Sequence, residues 1–148
     1  MKVIVQRVSE AACIIDKEIV SSIKNGYVLL VGFEEGDQMD QLIWTAKKIS
    51  GLRIFEDEHQ KMNLDIHEVK GEILSISQFT LAGDVHKGYR PSFTKALEPN
   101  QAEAYYLKFN DLLRSHDLVV KEGLFQAHMN IQLVNDGPVT IIIERRNV

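Results

Sequence analysis

Two short segments of the sequence combine residue types that could carry chemistry. The first is Ser77-Gln78-Phe79-Thr80-Leu81, followed by Ala82-Gly83-Asp84, which carries two hydroxyls, an amide and an aromatic ring. It lies at the end of a predicted strand, and strand ends and their loops are where reactive groups are usually presented. A structural interpretation is also open, because Ser77 and Thr80 can satisfy turn backbone groups while Phe79 fills the core. Composition alone favours that structural interpretation.

The second segment is Asn135-Asp136-Gly137-Pro138-Val139-Thr140. Its Asp-Gly pair is typical of a hairpin turn, so we expect a turn followed by a β-branched strand over 139–143. A cis Gly137–Pro138 peptide would point consecutive carbonyls in one direction, which is a recognition device. Spacing alone leaves cis and trans open, and trans is the commoner form.

Other catalytic signatures are missing from the sequence. It contains no Walker-type loop, no GxGxxG and no HExxH. The five histidines lack close ligand spacing and have no cysteine pair to join, so we expect no metal and no cofactor. Cys13 lies in an apolar run and is predicted to be a small buried hydrophobe. A single cysteine excludes a disulfide scaffold and favours the reducing cytoplasm.

The elements that position the two segments follow from periodicity. Strands are predicted over 3–15, 19–23, 27–33, 52–55, 72–80, 127–133 and 139–143, with a turn at 16–18 and an exposed loop over 56–70. Asp37 is the expected N-cap of a helix that ends at Gly51. Pro99 suits the first turn of a second helix ending near Ser115. The sum is an α+β domain of mainly antiparallel strands with two main helices, spanning residues 1–148 as a single domain.

Charge limits the partners. The chain has 17 basic and 21 acidic residues and a net charge of −4. A protein that grips a long duplex normally shows a basic face, so we expect no DNA partner and only a small footprint on any RNA. Apolar runs are too short to cross a bilayer, so no membrane partner is expected. A local basic patch and a solvated face are equally good interpretations of Lys47, Lys48, Arg53, Lys87 and Arg90.

Four motifs together resemble the D-aminoacyl-tRNA deacylase family. They are Met1-Lys-Val-Ile-Val-Gln-Arg-Val8, Ser77-Gln-Phe-Thr-Leu81, Lys87-Gly-Tyr-Arg-Pro-Ser-Phe93 and Asn135-Asp-Gly-Pro-Val-Thr140. The resemblance covers essentially the whole chain, in order and with no long insertion. It departs from the family pattern at Gln126, where a glycine is common, and at Tyr89, where a basic residue is frequent.

The resemblance implies a homodimer of small, barrel-like β-rich subunits that acts on the acceptor end of aminoacyl-tRNA. The Gly137-Pro138 pair would be cis and enter the site of the partner subunit, facing the catalytic group Ser77, Gln78, Phe79 and Thr80. Arg7 matches the arginine that braces this pair. Met129, with Phe125 and Ala127 of the same segment, belongs to the implied substrate-binding and chiral-selection site.

The implied reaction is hydrolysis of the ester between a D-amino acid and tRNA, as a proofreading step of translation. A threonine nucleophile needs a general base within reach, and none is forced into place by the sequence. We therefore expect the backbone N–H groups of Phe79 and Thr80 to stabilise the oxyanion, and the substrate 2′-hydroxyl to help activate water. An L side chain would clash with Gly137-Pro138, whereas glycine would escape this filter, so Gly-tRNA is a second expected substrate. A non-catalytic dimeric module that binds tRNA ends and a general small-ester hydrolase are the alternatives.

Overall fold

The sheet is organised around its first strand. The structure, a computed structural model, describes residues 1–146. Strand β1 (Lys2–Ile15) forms an antiparallel hairpin with β2 (Glu18–Ile23). Asp16 and Lys17 connect them with φ of 50° and 68°, as the favoured two-residue hairpin turn requires. The predicted opening hairpin is confirmed.

The remaining strands extend this hairpin into a barrel-like sheet. These strands are β3 (Gly26–Gly32), β6 (Glu72–Ser77), β7 (Val120–Glu122) and β8 (Asn130–Glu144). Strand β1 pairs antiparallel with β3 and β8, while β6 pairs parallel with β3 and β7. The edges β2 and β7 are joined by hydrogen bonds from Ser21 Oγ to the Glu122 carbonyl, 2.9 Å, and from Lys121 Nζ to the Ser22 carbonyl, 2.7 Å. The predicted β-rich, mainly antiparallel α+β fold is confirmed.

Two helices, α1 (Met39–Gly51) and α2 (Pro99–Arg114), pack against each other and cover one face of the sheet. Their buried residues recur at helical spacing, Leu42, Ala46 and Ile49 on α1 and Ala102, Tyr106, Phe109 and Leu113 on α2. They join Val3, Val5, Leu29 and Val31 of the sheet in the main core. Pro99 stands at the start of α2 as predicted, and Glu98 caps it by accepting hydrogen bonds from the Asn100 and Gln101 N–H groups.

Three local predictions were wrong. Gln38, not Asp37, caps α1, because the buried Asp37 carboxylate binds the terminal ammonium of Met1 at 2.7 Å and the Glu34 N–H at 2.8 Å. The strand predicted over 52–55 is only β4 (Phe55–Glu56), and β5 (Met62–Leu64) pairs with it inside the expected loop 56–70. The strand predicted to Thr80 ends at Ser77, and a 3₁₀ helix over Phe79–Ala82 follows.

The turn predicted at 135–138 was also wrong. Residues on both sides of it pair with β1 in the same antiparallel sense, so β8 is one strand rather than a hairpin. Gln6 pairs with Thr140 and Val8 with Asn135, so Arg7 alone stands opposite the four residues 136–139. The Asp-Gly-Pro sequence therefore forms a wide bulge in a continuous strand.

Candidate active site

A cavity of about 900 Å³ opens where β6 ends. The start of α2 and the segment that precedes β8 form its other walls. The predicted site residues that line it are Ser77, Gln78, Phe79, Phe125, Ala127 and Met129. Three apolar side chains complete it: Val31 of β3, Phe33 directly after β3, and Ala102 of α2. The structure thus brings one strand end and one distant segment together around a mainly apolar space, as is usual for small-molecule sites.

The chain turns sharply after β6 and leaves two backbone donors unused. The Gln78 N–H still donates to the Val31 carbonyl at 2.8 Å, and the 3₁₀ turn begins with Leu81 N–H donating to the Gln78 carbonyl at 3.2 Å. The N–H groups of Phe79 and Thr80 lie in the first turn, where a helix offers no acceptor. Within residues 1–146 neither group donates to a backbone carbonyl. Both are available to an anion.

The Thr80 hydroxyl has a local partner but no base. It accepts a hydrogen bond from the Gln78 side-chain amide, and no imidazole or carboxylate of the described chain bonds to it. The nearby His86 instead pairs its Nδ1 with Asp84 Oδ1 at 2.5 Å. Hydrogen bonds from the His86 backbone and ring lower the pKa of Asp84. This geometry disfavours Thr80 as an activated nucleophile.

The mouth of the cavity is aromatic. Phe79 is 57% exposed and meets Phe93 edge to face, with ring centroids 5.2 Å apart. An exposed ring of this kind favours contact with an apolar part of a ligand, because that contact removes apolar surface from water. Tyr89, the second departure from the family pattern, is fully exposed and does not line the cavity.

The segment before β8 is shaped by backbone conformation. A methyl group on Gly123 would lie 2.7 Å from Met129 Sδ and 3.1 Å from Ile76 Cδ1, so a larger residue here would have to displace these two side chains. Gln126 has φ of 64°, a left-handed conformation that glycine adopts more readily. The departure at Gln126 therefore falls where the backbone favours glycine, and its side chain lines the cavity. The predicted alternation of half-buried and exposed residues holds over 127–133, but the strand predicted to begin at 127 begins at Asn130.

The buried Arg7 side chain binds the bulge. Arg7 is 2% exposed, and its side chain donates from Nε to the Asp136 carbonyl at 3.1 Å and from Nη1 to the Ile54 carbonyl at 2.7 Å. Nη1 also pairs with Glu56 Oε2 at 2.8 Å. A methyl group on Gly137 would lie 2.9 Å from Arg7 Nη2. Arg7 thus fixes the segment that carries Gly137, whose peptide bond to Pro138 is cis.

Asn135 closes the bulge at its base, a role that the sequence analysis missed. Its side-chain amide donates to the carbonyls of Arg7 and Val139, both at 3.0 Å. Glu56 and Ile54 were missed as well, because their contact with Arg7 joins residues 47 or more positions apart. The Asn-Asp-Gly sequence is typical of a turn. It does not indicate that the Asn135 side-chain amide bonds to a carbonyl of β1.

Within one chain, the predicted residues at 77–79 and the predicted pair Gly137-Pro138 do not lie in the same cavity. Arg7, Gly137, Pro138 and Thr80 are absent from the cavity lining. Thr80 adjoins the lining through Phe79, but Gly137 lies six residues beyond Ile131, the last cavity residue on β8. At about 3.3 Å per residue, that separation is up to about 20 Å of strand. Gly137 and Pro138 are exposed where they stand.

A second buried contact steadies the strand that presents the site. Tyr106 of α2 donates its hydroxyl to the Ser75 carbonyl at 2.7 Å, two residues before Ser77. The Gly123 N–H donates to the same carbonyl at 3.1 Å. One carbonyl of β6 therefore ties together α2, β6 and the segment leading to Met129. Burial raises the pKa of the Tyr106 hydroxyl, which stays a neutral donor.

Two further predictions concern the cysteine and the side chains that could bind a metal ion. Cys13 is buried, as predicted, and burial raises the pKa of its thiol. Over residues 1–146, histidine, cysteine and acidic side chains form no group of three that would hold a metal ion.

Solved structures with this architecture define the class of fold. A structure titled "c-Myc DNA Unwinding Element Binding Protein" superposes with a TM-score of 0.92 at 39% identity, covering 99% of this chain and 100% of that one. A second, titled as a probable eukaryotic D-amino acid tRNA deacylase, gives a TM-score of 0.82 at 16% identity over 96% and 97% of the two chains. At that identity the second match concerns the fold alone.

Sequence relatives identify the family. A D-aminoacyl-tRNA deacylase from an Exiguobacterium species is 52% identical over 98% of this chain and 99% of its own. One from Thermotoga petrophila is 50% identical over 97% of each chain. The family model for D-Tyr-tRNA(Tyr) deacylase matches residues 4–144. The chain belongs to this family, which confirms the resemblance drawn from the four motifs.

Proposed function

We propose that this protein hydrolyses the ester bond of D-aminoacyl-tRNA, releasing free tRNA and the D-amino acid, as a single deacylase domain over residues 1–148. Family membership supports the reaction class. The observation that carries the mechanism is the pair of unused N–H groups at Phe79 and Thr80 beside the cavity. Donors aimed at the developing oxyanion are usually the largest catalytic contribution in acyl transfer.

Water is the nucleophile in this proposal. It attacks the ester carbonyl carbon, negative charge develops on the carbonyl oxygen, and the Phe79 and Thr80 N–H groups stabilise that charge. The carbon–oxygen bond to the ribose then breaks, and the departing ribose oxygen takes up the proton that the attacking water has lost. The vicinal 2′-hydroxyl of the substrate helps to activate the water, because no base of the described chain bonds to Thr80. Gln78 orients the Thr80 hydroxyl.

Selection of the D form uses a homodimer. The carbonyls of the Gly137-Pro138 pair, contributed by the partner subunit, accept hydrogen bonds from the substrate ammonium, and an L side chain clashes with them. Two observations support this arrangement: the pair lies outside the cavity of its own chain, and it is exposed although Arg7 and Asn135 hold it firmly. Glycine has no side chain to exclude, so Gly-tRNA is the second substrate.

The partner is the acceptor end of tRNA, met in the cytoplasm. A net charge of −4 suits contact with a short RNA end better than contact with a long duplex. The same charge argues against a DNA-binding role of the kind named for one structural relative. No helix within residues 1–146 is long and apolar enough to span a membrane.

Hydrolysis of matched D-Tyr-tRNA(Tyr) and L-Tyr-tRNA(Tyr) tests the proposal. We expect release of D-tyrosine and no release of L-tyrosine above the uncatalysed rate. Binding without release would instead favour a non-catalytic module for tRNA ends. Equal rates on both substrates, or on simple tyrosine esters, would favour a general ester hydrolase. A monomer that keeps full activity at micromolar concentration in sedimentation would refute the shared site.

A further inference from the structure

The one tryptophan of the chain holds two cations on its ring. Trp44 is half-buried on α1 and packs against the main core. Lys48, one helical turn later, places Nζ 5.2 Å from the ring centroid, and Arg145, directly after β8, places Cζ 4.7 Å from it. Both distances are within the range of a cation–π contact. We call these three residues the Trp44 cluster.

Within the described residues 1–146, neither cation of the Trp44 cluster has a neutralising partner. Within residues 1–146, no carboxylate lies within 4.0 Å of Lys48 or Arg145. Glu144, which directly precedes Arg145, forms an ion pair with Arg146 at 2.5 Å. Asp40, one turn before Trp44, makes no ion pair with either cation. In an acidic chain, two exposed cations held on one aromatic ring form a local site for an anion.

Sheet pairing relates this cluster to the candidate active site. Glu144, which precedes Arg145, pairs with Lys2, and Lys2 pairs with Gly32. Gly32 abuts Gln78, because a methyl group on Gly32 would lie 2.9 Å from the Gln78 carbonyl oxygen. The row β8–β1–β3–β6 thus separates Arg145 from Gln78 by three strand spacings, or about 14 Å at about 4.8 Å each. A stacked nucleic-acid strand rises about 3.4 Å per nucleotide, so this gap equals about four nucleotides.

We propose that the Trp44 cluster binds the RNA strand a few nucleotides before the ester. Lys48 and Arg145 contact phosphates, and Trp44 offers a face on which a base can stack. Phosphate contacts from lysine and arginine position a nucleic acid without reading its sequence, and stacking on aromatic rings tolerates every base. The inference rests on the proposed function, because the position along the RNA is counted from an ester bound at the Phe79 and Thr80 N–H groups.

Fluorescence of Trp44 tests the contact without any catalytic step. Because the chain has no other tryptophan, its emission reports this cluster alone. We expect uncharged tRNA to change the emission saturably, and Arg145→Gln to weaken binding about five- to eightfold near ~0.1 M salt, as the loss of one phosphate contact predicts. The matched control is Lys24→Gln, which removes an exposed charge next to the opposite end of β3 and should bind like the wild type.

Kinetics separate this inference from the proposed function. Arg145→Gln should raise KM for D-Tyr-tRNA(Tyr) by a similar factor, leaving hydrolysis of the D-tyrosyl ester of adenosine unchanged, since that substrate ends before the cluster. A wild-type protein inactive on both substrates would refute the proposed function, while the emission titration would still decide the contact. Equal tRNA affinity in wild type and Arg145→Gln would overturn the contact. An equal loss of tRNA affinity in Lys24→Gln would also overturn the contact. An equally strong change in Trp44 emission with duplex DNA would overturn it too.

Discussion

Replacing Arg7 with lysine tests whether one buried guanidinium holds the Gly137-Pro138 segment. Two nitrogens of Arg7 bind three oxygens on two segments, those of Ile54 and Glu56 and that of Asp136, at 2.7 to 3.1 Å. A lysine Nζ is a single point and cannot occupy both positions, so at least one hydrogen bond from the charged group is lost. Such bonds contribute about 1.5–3 kcal/mol each. We expect a loss of about 2–3 kcal/mol, since the Glu56 carboxylate is 43% exposed and adds little.

Two assays follow from this magnitude. A loss of about 2–3 kcal/mol lowers the thermal midpoint of a domain of this size by about 5–10 °C. Hydrolysis of D-Tyr-tRNA(Tyr) should fall by up to about 100-fold, because a displacement of about 1 Å in a positioning group has that effect. The control is Arg114→Lys at the far end of α2, where three partners bind a side chain that is 39% exposed. It should cost under about 1 kcal/mol and leave hydrolysis intact. An Arg7→Lys protein with a wild-type midpoint and wild-type turnover would refute the reasoning.

Three further substitutions test other contacts. Thr80→Ala should keep measurable deacylation, with a loss smaller than the roughly 10²–10³-fold that removal of an oxyanion donor causes; trapping of an acyl-Thr80 intermediate would contradict this. Gly137→Ala should lower the free energy of unfolding in urea by about 1–3 kcal/mol, because φ is 127° and the new methyl meets Val139 Cγ2 at 2.8 Å. An unchanged urea midpoint would show that the segment accommodates the methyl group without strain. Tyr106→Phe should cost about 1–2 kcal/mol by removing the 2.7 Å bond to the Ser75 carbonyl, and calorimetry with no change would exclude that bond as a support of β6.

Periodicity predicted the elements whose pattern reflects burial on one face. The stripe of α2 from Ala102 to Leu113 and the alternation from Met129 to Leu133 both appear in the structure. Each depends on which side of a helix or strand meets the core, and a local pattern records that. The Ser77–Thr80 segment was noticed from its residue types at the end of an apolar strand, and its site role came from the family resemblance.

Long-range partners could not be predicted from local pattern. Asp37 has the residue type of an N-cap, but its carboxylate binds the terminal ammonium 36 residues away. Asp136-Gly137 has the sequence of a hairpin turn, but β1 pairs with the chain on both sides of it. The cavity likewise needs β6, α2 and the segment at 125–129 together, and no single window contains all three. In the site, family resemblance supplied Arg7, whereas its contacts with Glu56 and Ile54 needed the fold.

The pairing of β1 with β8 also determines when the site can exist during synthesis. Strand β1 leaves the ribosome first, but its longest partner is the last strand of the sheet, with contacts as far apart as Lys2 and Glu144. Pairings of such long sequence separation require closure of a large loop before they stabilise anything. One wall of the cavity, at Ile131, and the Gly137 segment both belong to that last strand. A nascent chain stopped before β8 therefore has Ser77–Thr80 without either feature, and the site can form only after β8 has been made.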